Sequence, residues 1–198
     1  MKRGLIVALL CAGPASASAQ QFEVAPLVNI ASASGINRRA EGVDDLLIRP
    51  SVGWGAHVDY FFTSHVGLEF LSTYESTSVG LTTTSGDSAE LFRMSRGNGY
   101  ANVVYQFHGE LPDRTPFVFG GIGATHFRSS GLQDETRPSW TAGAGMKWFV
   151  TGVVGVEVRG AYVSTHVHDS TAAFCDPFGF CQEVLRRVEA TAGVAFRF

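Results

Sequence analysis

Beyond residue 20 the chain lacks any run of about 18 apolar residues, so no part of it can cross a membrane as a helix. It lacks a basic excess as well: 15 Lys and Arg stand against 18 Asp and Glu in 198 residues, a formal net charge of −3. That balance leaves nothing with which to neutralise phosphates, and nucleic acid is excluded as an expected partner. Charged residues make up only 17% of the chain, too few for a disordered acidic or basic protein. Cysteine is scarce, with Cys11, Cys175 and Cys181 the three present. Glycine and phenylalanine are not scarce: 23 and 15 of them fit glycine-punctuated strands better than a helical bundle, in a length that suits one domain.

The first residues read as an export address. Lys2 and Arg3 precede an apolar stretch over 5–12, and Ala17-Ser18-Ala19 supplies the small-x-small pattern of a cleavage site. Residues 1–19 are therefore expected to be a signal peptide, with 20–198 the functional domain. Leu10 before Cys11 does not favour a lipidated cysteine. Export also makes a disulfide the expected state of Cys175 and Cys181, closing a short loop.

Downstream, the dominant pattern has period two. Over 22–31, Phe22, Val24, Pro26, Val28 and Ile30 alternate with Glu23, Ala25, Leu27, Asn29 and Ala31. Over 48–60, Ile48, Val52, Trp54, Val58 and Tyr60 alternate with Arg49, Ser51, Gly53, Gly55, His57 and Asp59. Similar alternation covers 66–75, 92–107, 140–148, 154–162 and 184–198, while 116–127 is interrupted by Gly120, Gly121 and Gly123 and gives no clear assignment of faces. The glycines there lack the Gly-x-Gly-x-x-Gly spacing of a phosphate loop. Long polar connections over 32–47, 76–91, 128–138 and 167–183 alternate with short turns over 61–65, 108–115 and 149–152.

Strands this long suit a tilted membrane crossing better than a soluble sandwich, and the expected architecture is an all-β, eight-stranded, antiparallel, up-and-down transmembrane β-barrel. Its apolar face would meet lipid. Trp54, Tyr60, Tyr74, Tyr105, Trp140, Trp148, Tyr162, Phe196 and Phe198 would form interfacial girdles. The opposite face carries Glu23, Asp59, Glu69, Glu75, Glu157 and Glu189 against Arg49, Lys147, Arg159, Arg187 and Arg197, with His57 able to join either set. Charges that nearly cancel inside a narrow barrel suggest paired side chains filling the interior, rather than a wide aqueous channel.

Several stretches resemble the small eight-stranded outer-membrane β-barrels, the OmpA/OmpX-type domain also found among opacity-type surface antigens. They are Phe22-Glu23-Val24-Ala25-Pro26, Val66-Gly67-Leu68-Glu69, Val153-Val154-Gly155-Val156-Glu157-Val158-Arg159, the glycine-rich 116–124 and the terminal Phe196-Arg197-Phe198. The resemblance implies passage through the periplasm, insertion into the outer membrane by its assembly machinery with Phe198 as the terminal signal, and long loops facing outward. The role expected on these grounds is structural or surface-interacting and non-enzymatic, with outer-membrane lipid as surroundings, a possible extracellular ligand at the loops and no cofactor.

Two other readings are open. Gly53, Gly55, Gly143, Gly145, Gly155 and Gly193 on the inner face could leave room for a narrow pore carrying ions or small solutes. His168-Asp169-Ser170 with Glu183 imitates the nucleophile, base and orienting carboxylate of lipid A deacylases, although Thr171-Ala172 stands where Asn-Ala is usual. His166 and His168 with Asp169 or Glu183 offer metal-ligand chemistry but few donors. The expected bridge between Cys175 and Cys181 restrains the last loop and makes it the expected ordered recognition element, and Phe174, Phe178 and Phe180 in the same loop either pack as its own small cluster or offer a hydrophobic contact.

Overall fold

The computed structural model describes residues 21–32, 45–48, 50–82, 88–107, 114–129, 134–166 and 184–198. They form β1 (Gln21–Ala31), β2 (Asp45–Ile48), β3 (Ser51–Phe61), β4 (Val66–Thr82), β5 (Ser88–Gln106), β6 (Arg114–Ser129), β7 (Glu135–Phe149), β8 (Val154–His166) and β9 (Val184–Arg197). The sheet order is β2-β4-β3-β1-β9-β8-β7-β6-β5, and a β4–β5 pairing closes it on itself. Segments β2 and β3 both lie along β4, β2 against 79–82 and β3 against 67–76. They are two parts of one barrel strand, interrupted next to Pro50, whose nitrogen has no hydrogen to give a ladder. The architecture is thus an eight-stranded antiparallel closed barrel.

Its polarity is inverted relative to a soluble protein. Glu23, His57, Asp59, Glu69 and Lys147 are fully buried, while Ile122 is 75% exposed, Trp54 67% and Phe70 62%. No water-soluble sandwich hides its charges and displays its isoleucines; a barrel whose outer solvent is hydrocarbon does. Aromatic pairs mark both edges of the apolar band. Trp54–Tyr74 and Trp140–Tyr162 lie toward the loops, with ring centroids 6.0 and 5.5 Å apart. Tyr60–Phe62, Tyr105–Phe107 and Phe22–Phe198 lie at the turn end. From Gly97, which pairs with Tyr74, to Tyr105 on the same strand is a rise of about 20 Å after strand tilt, close to the usual height of a lipid-facing band.

The two described short turns share one construction. In each, a threonine hydroxyl accepts hydrogen bonds from the residues two and three ahead: Thr63 from His65 and Val66, and Thr151 from Val153 and Val154. Backbone bonds Phe62 N to Val66 O and Val150 N to Val154 O, both 3.0 Å, close the same turns. The seam is sealed by reciprocal bonds between Phe22 and Phe198 at 3.3 and 2.8 Å.

The segment 76–91 departs from its expected loop. Strand β4 continues to Thr82 and β5 begins at Ser88, with pairs from Ser76↔Ser95 to Thr82↔Ser88 and a register shift between Val79 and Gly80. Serine and threonine carried the loop reading, but β-branched Thr77, Val79 and Thr82 also favour extended backbone. Likewise β6 runs to Ser129 and β7 starts at Glu135, so most of 128–138 is strand. Residues 1–19 and Arg49, and the residues from 167 to 183, including His168, Ser170, Cys175, Cys181 and Glu183, lie outside the described residues.

Candidate functional site

The barrel interior is where the chain concentrates its ionisable chemistry. Six carboxylates are buried there, from Glu23, Asp59, Glu69, Glu75, Glu157 and Glu189. They fall into two networks.

The network at the turn end centres on Lys147 and Arg159. Lys147 Nζ donates to Glu23 Oε2 at 2.5 Å and Asp59 Oδ2 at 2.8 Å, and lies 3.6 Å from Glu157 Oε2. Arg159 Nη2 donates at 2.7 Å to Glu69 Oε2 and lies 2.7 Å from Glu157 Oε1. Arg197 Nε donates to Glu23 Oε1 at 3.0 Å, and Asn102 Nδ2 to Glu69 Oε1 at 2.7 Å. His57 bridges the group: Nδ1 is 2.9 Å from Asp59 and 3.4 Å from Glu69, and Nε2 is 3.2 Å from Glu157. Four carboxylates thus share three permanent cations and one imidazole.

This network rests on an aromatic floor of Phe61, Phe117 and Phe119 with Val104. Lys147 Nζ stands 5.5 Å from the Phe61 ring centroid and 5.3 Å from that of Phe117; the Arg159 guanidinium is 4.8 Å from Phe119. The rings give the cations favourable quadrupole contact. Glycines make room for them: a Cβ on Gly145 would collide with the Phe117 ring, and one on Gly143 with Phe119.

The second network lies toward the loops. Arg96 Nε is 2.9 Å from Glu75 Oε1, Ser51 Oγ donates to Glu75 Oε2 at 2.6 Å, and Arg187 Nε donates to Glu189 Oε1 at 2.6 Å. Two carboxylates meet two guanidinium groups. Beside them the hydroxyls of Tyr100, Thr125, Ser139 and Thr165 are linked at 3.2–3.5 Å.

Between the networks runs an apolar layer. Ala25, Leu27, Leu71, Tyr100, Val163 and Ala195 form one buried cluster contributed by five strands. Along β1, Leu27 separates Glu23 from Asn29; along β4, Leu71 separates Glu69 from Glu75. Along β5, Tyr100 separates Asn102 from Arg96. Each carboxylate finds its cationic partners within its own network, because across this layer charges would have to pair through hydrocarbon.

A sequence model described as the outer membrane protein beta-barrel domain matches residues 5–198. The chain belongs to this outer-membrane β-barrel family. Solved barrels give the same fold at low identity. Neisserial surface protein A matches with a TM-score of 0.61 at 16% identity, over 89% of this chain and 97% of that one. OprG from Pseudomonas aeruginosa gives 0.58 at 12%, over 91% and 97%. Ail, the attachment invasion locus protein of Yersinia pestis, solved with the heparin analogue sucrose octasulfate, gives 0.53 at 11%, over 90% and 99%. No curated protein sequence matches significantly.

In this outer-membrane barrel, Glu23, His57, Asp59, Glu69, Glu75, Lys147, Glu157, Arg159, Arg187 and Glu189 are all buried inside, and the Arg197 side chain is 26% exposed at the turn-side rim. Phe198 lies on the outer surface. Sequence reasoning missed Arg96, which sits in a stretch where the alternation is masked by Ser95, Gly97 and Gly99. It also left the faces of 116–127 open. There Phe117, Phe119, Thr125 and Phe127 point inward, while Val118 and Ile122 face lipid, so apolar residues occupy both sides. The signal that could have found this is the pair Gly143 and Gly145 on β7, opposite Phe119 and Phe117 in the register.

The inward glycines Gly53, Gly55, Gly143, Gly145, Gly155 and Gly193 each have a neighbouring atom where a Cβ would stand. They accommodate other side chains and do not widen the lumen. His57, Asp59 and Glu69 have donor atoms close enough for a metal ion. Lys147 and Arg159 already engage those carboxylates, however, and supply the positive charge that a divalent ion would bring.

Proposed function

We propose that this protein is a closed, non-enzymatic surface barrel of the OmpA/OmpX and opacity-antigen kind, whose interior is a structural plug and whose interactions are made from its outward loops. The observation that carries this reading is the apolar layer of Leu27, Leu71, Tyr100 and Val163 between two separately paired charge networks. An ion on its way through would have to cross that layer and also displace paired charges on either side, each step opposed by desolvation. The attachment named for Ail is a role of this surface kind. Residues 1–19 serve as the export signal, Phe198 as the signal to the assembly machinery, and a Cys175–Cys181 bridge restrains the last loop.

The test is conductance. Refolded protein in planar bilayers, from samples whose gel mobility changes on boiling, is expected to be electrically silent. Recurrent conductance steps that change when Glu69 is replaced by lysine would transfer the assignment to a narrow pore. Thiol labelling of unreduced protein on cells checks the bridge, which predicts no reaction at either cysteine.

A further inference from the structure

The outer wall of the barrel is not uniformly convex. An apolar cavity of about 500 Å³ opens on it, between Phe70 and Ser72 of β4, Gly99 and Ala101 of β5, and Ile122 and Ala124 of β6. Its position follows from the register. The row Ser72–Gly99–Ala124 is small throughout, whereas the row below it, Phe70–Ala101–Ile122, raises a large side chain on either side of an alanine. Nothing lies within 4 Å of where a Cβ on Gly99 or Gly97 would stand, so the trough continues up β5 toward the loops. From Ala101 to Gly97 it follows the strand for about 13 Å.

The trough changes character at its upper end. Gly97 is flanked by Tyr74 and His126, and the next row is Ser76–Ser95–Arg128. Arg128 is 70% exposed and uses its Nε to reach Asp134 at 3.1 Å; His126 Nδ1 meets Thr136 Oγ1 at 2.9 Å. An apolar groove inside the hydrocarbon band thus ends, at the level of the Trp54–Tyr74 girdle, in hydroxyls, an imidazole and a guanidinium. Those are the groups that recognise a phosphate at a membrane interface.

We propose that this trough is a lipid-binding site holding one acyl chain of a phosphate-bearing lipid of the outward-facing leaflet, with its phosphate beside Arg128 and His126. The chain lies along Gly97, Gly99 and Ala101 with Phe70 and Ile122 as walls. A lipid seated there fills a concavity that a freely diffusing chain would have to bend into, and the cationic end fixes its depth. The site is independent of whether the barrel interior conducts.

The experiment uses the folded full barrel in neutral maltoside micelles, titrated with dimyristoylphosphatidylglycerol and read by native mass spectrometry. Wild type should retain one lipid in preference to further copies. Gly99→Leu, whose Cβ meets no atom within 4 Å and whose branched end would occupy the trough, should weaken that retention about tenfold. Arg128→Gln should weaken it by a smaller factor. Gly160→Leu, at another open position on the outer wall, should leave it unchanged, and heat-dependent gel mobility confirms that each variant is folded. Equal retention by wild type and Gly99→Leu would overturn the proposal. So would a wild-type dimer, without retained lipid, that Gly99→Leu disrupts, since the occupant would then be a second copy of the chain.

Discussion

Replacing Lys147 by methionine should lower the unfolding free energy of the refolded barrel by about 3–5 kcal/mol, the usual cost of removing one member of a buried ionic cluster. Methionine keeps the apolar stem and its place over Phe61 and Phe117, so the loss isolates the ammonium group. Glu23, Asp59 and Glu157 would be left with one cation fewer among them, in a site with no exposure to water. Urea unfolding in lipid vesicles, followed by tryptophan emission, measures the change. The double variant Lys147→Met, Asp59→Asn should recover more than half of it, because a neutral amide does not need the lost counter-charge. A cost below about 1 kcal/mol for the single variant would mean that water reaches the cluster and screens it.

Gly145→Leu should cost about 1–3 kcal/mol or more through overpacking. The new side chain would start on top of the Phe117 ring and near the Val158 carbonyl oxygen, and the oxygen belongs to backbone held in the β7–β8 ladder. Phe117 would have to move, and with it the surface beneath both Lys147 and Arg159. The informative contrast is Gly160→Ala, one strand over on the lipid face, where nothing stands within 4 Å of the added methyl. That variant should unfold within about 0.5 kcal/mol of wild type. If the two glycines responded alike, the difference between filled interior and open exterior would be wrong.

These contrasts also explain what the sequence made legible. Strands such as β1 show their faces because the lipid side is apolar throughout while charged and amide residues recur on the other, as in Phe22, Val24, Val28 against Glu23 and Asn29, even though Ala25 and Leu27 share the inner face. Lipid outside and paired charges inside demand opposite chemistry at adjacent positions, so the pattern survives in the sequence. Strand β6 hides its faces because Phe117 and Phe119 serve as interior packing while Val118 and Ile122 serve as lipid contact, and both tasks select apolar residues. The extension of β4 to Thr82 was hidden for the reverse reason. Beyond the girdle, water lies on both sides, and hydrogen bonding between backbones no longer requires alternation. The pairings inside the barrel were out of reach as well: alternation shows that Lys147 and Asp59 share an interior, but only register and strand order bring residues 88 positions apart to 2.8 Å.

The seam between β1 and β9 carries a kinetic consequence. Glu23 stands opposite Arg197, and their side chains pair across it, as do the backbones of Phe22 and Phe198. Every other joint in the wall links strands that are neighbours in sequence and can form as a local hairpin. This one joins the two ends of the described fold, the contact with the largest loop-closure cost and the last that the order of the chain permits. Until it forms, the sheet carries two unsatisfied edges and exposes to water the face meant for lipid. Closing the seam is therefore expected late in folding, and the ion pair from Arg197 to Glu23 links that step to completion of the inner charge cluster.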